Sequence, residues 1–238
     1  MLTRFSLALA ATSALVSTAA IAQAPAAGVP KPAALTVQAV PPVPAELAAR
    51  TRPYMELRSA AFAGWNAKDR SMLIRTRFGN VPQLHRVAGP MMDRHQITFE
   101  AEPVGGSWAP SGDVLAIQKD RGGDEFFQLY RLDGGRLTLL TDGKSRNSMG
   151  AWSKDGKLLA YSSTRRNGAD TDLYVMDPRD PRTDRLVAEV KGGGWGIAAF
   201  APGNAKALVL NYQQVTNSDP YLLDLATRQL TPIGDHKK

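Results

Sequence analysis

The sequence predicts an all-β protein, a β-propeller of four recognisable four-stranded blades that make an incomplete ring. Three observations carry that expectation. The stretch from Ala151 to Asp177 reads as a strand start at Ala151-Trp152-Ser153, a tight turn at Lys154-Asp155-Gly156, an apolar strand over residues 158–162, a polar loop, and a further strand over residues 172–176. Related versions flank it, and their aromatic positions Trp65, Trp108, Trp152 and Phe200 stand 43, 44 and 48 residues apart. Repetition of a strand-turn-strand unit at a period of roughly 40 to 50 residues is how propeller blades look in sequence. Finally, the second strand of each unit is a near-continuous apolar run, as a strand buried on both faces requires. A β-sandwich with similar hairpins is the competing reading.

The first 22 residues are expected to be an export signal. Arg4 supplies the positive start, residues 5–16 the apolar stretch, and Ala20-Ile21-Ala22 the small-x-small cleavage site, with Ala24 as the second choice. That apolar stretch is shorter than the roughly 20 residues a spanning helix needs. An exported, periplasmic or secreted chain beginning near Gln23 follows, with no membrane span after signal removal.

Residues 23–52 form an Ala/Pro-rich linker, with Pro25, Pro30, Pro32, Pro41, Pro42 and Pro44 denying the backbone donors that helices and sheets need. A short helix is expected over residues 44–50 or slightly beyond, stopped by Pro53. The propeller occupies residues 53–238, with blades at about 60–104, 105–147, 148–192 and 193–238. The first is the least regular. It runs through Trp65, residues 72–76, a turn at Gly79-Asn80, residues 83–87, and a last strand at 96–99. The second starts at Gly106-Ser107-Trp108, turns at Pro110-Ser111-Gly112-Asp113, and continues over residues 114–117, 126–132 and 136–140. Its Asp133-Gly134-Gly135 turn suits a hairpin that needs positive φ. The third adds a last strand at 184–190, and the fourth runs over 195–200, 207–210, 221–225 and 229–230. Small residues such as Gly106 and Ala151 suit a first strand lining a crowded centre, and the aromatic beside them fills the space between blades.

The chain has no cysteine, which removes disulfides, thiolate nucleophiles, thiolate metal sites and a lipid-anchor cysteine. The net charge of +7, or +6 without Arg4, is spread over Arg75, Arg77, Arg86, Arg121, Arg165, Arg166 and Arg185. No compact basic run with interleaved aromatics stands out, so nucleic acid is not the expected partner.

The string Trp-Ser-x-Asp-Gly-Lys-x-Leu-Ala-Tyr followed by Asp-Leu-Tyr-Val-Met-Asp is similar to the blade motif of TolB-like (WD40-like) repeat proteins and of the propellers of prolyl oligopeptidase family (S9) serine peptidases. Gly64-Trp65 through Met72-Leu73-Ile74-Arg75-Thr76-Arg77-Phe78-Gly79-Asn80 to Gln83-Leu84-His85-Arg86-Val87 resembles the first blade of the acylaminoacyl-peptidase-like branch, and residues 119–133 resemble its second. The resemblance covers residues from about 53 onward.

In that family catalysis resides in an α/β-hydrolase domain with a Gly-x-Ser-x-Gly elbow followed by Asp and His. This chain has no such motif. The nearest approach is Gly105-Gly106-Ser107-Trp108-Ala109, with Ser107 on a blade's first strand. His85 falls within an expected strand, His95 just before another, and His236 in the charged tail, so packing or surface roles are expected for all three. Asp170, Asp172, Asp177 and Asp180 lack the spacing and terminal Glu of a calcium loop and read as turn formers. The sequence therefore offers no catalytic, metal-binding or cofactor-binding residue. The resemblance implies a propeller that gates and binds peptides for a hydrolase domain absent from this chain, inactive alone. A TolB-like protein-binding scaffold is the alternative. The matches around Trp65 and Glu125 favour the first. Open end faces imply self-association, and further blades followed by an elbow are expected in coding sequence downstream of Lys238.

Overall fold

A computed structural model describes residues 28–234. The export signal read at residues 1–22 and His236 lie outside the described residues. The chain divides into two units, Met1–Leu57 and Arg58–Lys238.

In the first unit, residues 28–44 form no helix or strand and fold back on themselves, with an antiparallel bridge between Gly28 and Pro44. Helix α1 (Ala45–Met55) follows, and none of its residues is buried. Glu46 in the first turn and Arg52 in the last complement the helix dipole. Pro53 lies inside the helix and does not stop it, contrary to the sequence expectation. A proline so near the C-terminus withdraws only the donor for the Ala49 carbonyl, and the Glu56 amide still closes the last turn on Arg52 at 3.0 Å.

The second unit consists of four antiparallel four-stranded sheets, each a simple meander. Blade 1 contains β1 (Ala60–Trp65), β2 (Met72–Thr76), β3 (Gln83–Val87) and β4 (His95–Gln96). Blade 2 contains β5 (Gly105–Trp108), β6 (Leu115–Lys119), β7 (Gln128–Asp133) and β8 (Arg136–Leu139). Blade 3 contains β9 (Asn147–Trp152), β10 (Leu159–Ser163), β11 (Asp172–Asp177) and β12 (Asp180–Ala188), and blade 4 contains β13 (Trp195–Phe200), β14 (Lys206–Gln214), β15 (Asn217–Asp224) and β16 (Leu230–Pro232). The all-β propeller expectation holds.

Strand alternation builds the seams. Leu159 and Tyr161 of β10 face blade 2, together with Tyr174 and Met176 of β11. Ala160, Leu173 and Val175 point the other way, into the seam with blade 4. Every residue of β10 is consequently buried, which is why its sequence opens on the apolar run Leu159-Ala160-Tyr161 without alternating polar residues. The same rule in blade 2 sends Leu115 and Ile117 toward Leu73 and Leu84 of blade 1, and Ala116 and Leu129 toward blade 3. Three cores thus join four blades in a row. Among the described residues no core joins blade 1 to blade 4, so the blades form an arc.

Several strand limits differ from the sequence expectation. β4 is shorter than the expected 96–99, because past Gln96 the Thr98 hydroxyl takes the Leu84 amide at 2.9 Å in place of a ladder carbonyl. β12 starts at Asp180, since Pro178-Arg179 makes a two-residue hairpin that pairs Asp177 with Asp180. β14 and β15 continue as a polar hairpin beyond the apolar run, pairing Asn211 with Asp219 and Tyr212 with Ser218. Gly106 is crowded for a different reason than expected. A Cβ there would lie 2.5 Å from the Ala116 carbonyl and 3.0 Å from Leu84 of blade 1, so the neighbouring strand and blade set the limit.

Candidate functional site

Ser107 sits in β5 opposite Ala116 of β6. Its Oγ accepts the indole N–H of Trp152 at 2.9 Å, tying blade 2 to blade 3. A strand follows it, so it lacks the strand-to-helix elbow that exposes a nucleophilic serine. His85, in blade 1, is 1% exposed. Its Nδ1 lies 3.2 Å from the Gln83 carbonyl and its ring 5.3 Å from that of Phe78. Burial pushes its pKa down, which keeps the imidazole neutral at physiological pH. His95 begins β4 and is exposed. The structure brings neither histidine to Ser107.

The four aspartates singled out in the sequence are each matched by an arginine. Asp172 is fully buried and accepts Arg166 Nε at 2.6 Å, Arg166 Nη2 at 3.0 Å and the Val190 amide at 2.9 Å. Arg166 also reaches Asp170 at 3.1 Å, Arg179 reaches Asp177 at 2.8 Å, and Arg182 reaches Asp180 at 2.8 Å. Among the described residues no group of three His, Cys, Asp or Glu side chains is placed to hold a metal ion. Sequence reading saw these acids as turn formers and missed their arginines. The one partly legible signal was Arg166 to Asp170 at a four-residue spacing.

A second network in blade 3 was not legible at all. The Arg165 guanidinium lies 3.7 Å from the centre of the Tyr174 ring and pairs with Asp184. Asp184 also accepts the Tyr161 hydroxyl at 2.7 Å, and burial is the main cause of that phenol's upward pKa shift. The charges are mutually satisfied, so the network stiffens the blade and offers no free group to a ligand.

Clefts open along the blades. One of about 470 Å³ lies between blades 3 and 4, lined by Ser148, Met149, Thr171, Trp195, Ile197 and Leu210. A second, about 400 Å³, lies between blades 1 and 2 beside Arg86, His95, Phe99 and Trp108. A third, about 380 Å³, carries charges of both signs from Asp120, Arg121, Asp124 and Lys144 around Phe126 and Tyr130. The first has hydroxyls and no histidine, and the second a histidine and no hydroxyl nucleophile, so neither assembles a hydrolytic pair. What the first does offer is backbone. β9 and β13 are each the end strand of their sheet. An end strand presents amide and carbonyl groups along its open side, and an extended peptide can pair with them. Trp195, held by an N–H donated to the Lys191 carbonyl at 3.0 Å, gives that cleft a flat apolar wall.

No protein-family model matches the chain, and no curated protein matches it. Its fold does match solved structures. TolB from Acinetobacter baumannii is 18% identical, with 74% of this chain and 43% of that one covered at a TM-score of 0.53. A structure from a study of two prolyl endopeptidases is 12% identical, covering 78% and 31% at a TM-score of 0.57. Porphyromonas gingivalis dipeptidyl peptidase 4 is 14% identical, covering 73% and 26% at a TM-score of 0.54. The chain therefore spans less than half the length of each of these three structures. At these identities the likeness is one of fold, and it falls on the two groups, TolB and prolyl oligopeptidase-like peptidases, that share the blade motif.

Proposed function

We propose that this chain is the non-catalytic propeller of a prolyl oligopeptidase-like (S9) serine peptidase, gating and binding peptide substrates for an α/β-hydrolase domain outside residues 1–238. The observation that carries the reading is the cleft between the end strands β9 and β13, whose strand edges and the face of Trp195 suit an extended peptide. The peptidase-like motifs around Trp65 and Glu125, and the fold shared with two peptidases, support it. A TolB-like scaffold that binds a folded protein is the second reading, favoured by the likeness to TolB. The order of charge, apolar stretch and small residues at the N-terminus supports export in either case. Among the described residues no helix is long and apolar enough to cross a membrane.

The test is titration of the purified chain with extended oligopeptides, with an activated ester and a peptide amide as turnover probes. Binding without turnover is expected, and it should weaken when Trp195→Ala removes the cleft wall. Turnover that vanishes in Ser107→Ala would overturn both readings. Failure to bind any oligopeptide, together with binding of a folded protein, would favour the scaffold.

A further inference from the structure

The cleft between blades 3 and 4 differs from its neighbours in charge. Among the described residues its lining holds no Asp, Glu, Lys, Arg or His. The cleft between blades 1 and 2 carries Arg86 and His95, and the one around Phe126 carries Asp120, Arg121, Asp124 and Lys144. Even the acids beside the neutral cleft are taken up elsewhere. Asp170 and Asp172 flank Thr171 in the chain, and both pair with Arg166.

In place of charge the cleft has two hydroxyls without a partner. Ser148 of β9 and Ser162 of β10 stand directly opposite each other in the ladder, which puts their side chains on one face with Cβ atoms about 5 Å apart. Ala160, two residues before Ser162, belongs to the core shared with Ile197 of blade 4, so strand alternation aims both hydroxyls at blade 4. Ser162 is 8% exposed, and among the described residues neither hydroxyl makes a hydrogen bond. Buried hydroxyls ordinarily do. The adjacent Ser163 accepts the Arg165 amide at 3.2 Å, and Thr171 in the same lining donates to the Gly192 carbonyl at 3.2 Å. Facing the serines is Trp195, fixed by its N–H to the Lys191 carbonyl and by the Tyr221 ring at 5.1 Å.

A hydroxyl donates and accepts, as a peptide amide does, but it cannot neutralise an ion. Moving a charged side chain out of water into a lining with no countercharge is unfavourable, whereas an amide that meets a hydroxyl recovers its hydrogen bond. We infer that this cleft selects peptide segments whose side chains are uncharged, with Ser148 and Ser162 bonding a backbone amide of the segment and Trp195 packing on an uncharged side chain. The selectivity rests on the peptide-binding reading above, and it adds a substrate class and two specificity-determining residues. It lies in a seam inside the chain, so it does not depend on what adjoins blades 1 and 4.

Titration of the purified chain with end-capped hexapeptides of one host sequence tests it, the central pair being Val-Val, Gln-Gln, Asp-Asp or Lys-Lys. Binding that survives Trp195→Ala is counted as lying outside the cleft. The Val and Gln peptides should bind, and the Asp and Lys peptides should bind about tenfold more weakly or worse. Ser162→Ala together with Ser148→Ala should weaken the Val peptide about tenfold by leaving its amide unpaired. Ser148 is exposed, so Ser148→Asp puts a carboxylate in the cleft without touching the core. That variant should bind the Lys peptide more tightly than the Val peptide, a reversal that a general loss of structure cannot produce. Equal affinity for charged and uncharged peptides, or a Ser148→Asp variant that still prefers Val, would overturn the selectivity and leave the peptide reading standing. Binding of no oligopeptide at all would overturn both.

Discussion

The hydroxyl of Ser107 accepts the Trp152 indole N–H, and that single bond accounts for residue choices in the other blades. Trp108 stands one blade earlier in the place of Trp152, but the position before Trp65 is Gly64, which has no hydroxyl to offer. Trp108 Nε1 is accordingly buried without a partner among the described residues. Gly64 has φ +145°, a conformation that would strain any replacement, so the missing acceptor is a consequence of the backbone. In blade 4 the aromatic is Phe200, which has no N–H, and Ala151 suffices where Ser107 would stand. Trp152 is half-buried, so Trp152→Ala is expected to cost about 3 kcal/mol, the low end for truncating a packed aromatic. Ser107→Ala should cost about 1 to 2 kcal/mol by orphaning the indole, and close to nothing in a Trp152→Phe background. Urea unfolding of the four proteins in this cycle measures the coupling, and strictly additive losses would show that the bond contributes nothing. The aromatic repeat was legible in the sequence because each copy lies on its own strand. Its acceptor was not, since the partners are 45 residues apart and no local pattern joins them.

At the scale of elements, strands were legible where apolar residues run through them and their limits were not where side chains or solvent finish the ladder. β2, β3 and β13 lie where their apolar patterns put them, while the outer half of the β14–β15 hairpin is built from Asn211, Gln213 and Ser218, which carry no strand signal. Turns also join the blades. Arg179, in the β11–β12 turn, donates to Asp113 Oδ1 at 2.7 Å and Ser111 Oγ at 3.1 Å in blade 2, and to the Gly156 carbonyl at 3.0 Å in its own blade. Gly156, at φ +70°, lies so close to Ser111 that a Cβ would fall 2.5 Å from its hydroxyl. The hydrogen bonds from Arg179 and Ser111 hold the Asp113 carboxyl well below the usual carboxylate range. Asp69, bonded chiefly to Ser71 and also to Arg86, is pulled down to about 2. A carboxylate with a depressed folded pKa contributes stability that is complete above the unfolded value of about 3.9 and is lost as pH falls through the folded one. His85 acts earlier and with the same slope. Its folded pKa is lowered, so the unfolded chain takes up a proton below about 6.5 that the buried ring does not. Stability should therefore decline gently below about pH 6.5 and more steeply below about 4. Urea midpoints against pH should show Asp113→Asn flattening only the lower limb. An unchanged lower limb would mean that the Arg179 contact is not part of the fold's acid response.

For the molecule as a whole, the repeat announced the propeller, but the number of seams depends on which faces meet, and that is a property of the assembled sheets. Among the described residues, blades 2 and 3 each share two cores with neighbours, whereas blades 1 and 4 share one. Stability in such arrays is close to a sum of repeat and nearest-neighbour terms, so protection should be graded along the chain. Amide hydrogen exchange under dilute conditions is expected to be slowest in β10 and β11, where Leu159, Ala160, Leu173 and Val175 are 0% exposed. It should be fastest in β4, in β16 and at the tip of the β14–β15 hairpin. Uniform protection in all four blades would instead describe one cooperative unit, and would be incompatible with shared cores that, among the described residues, leave blades 1 and 4 with one seam each.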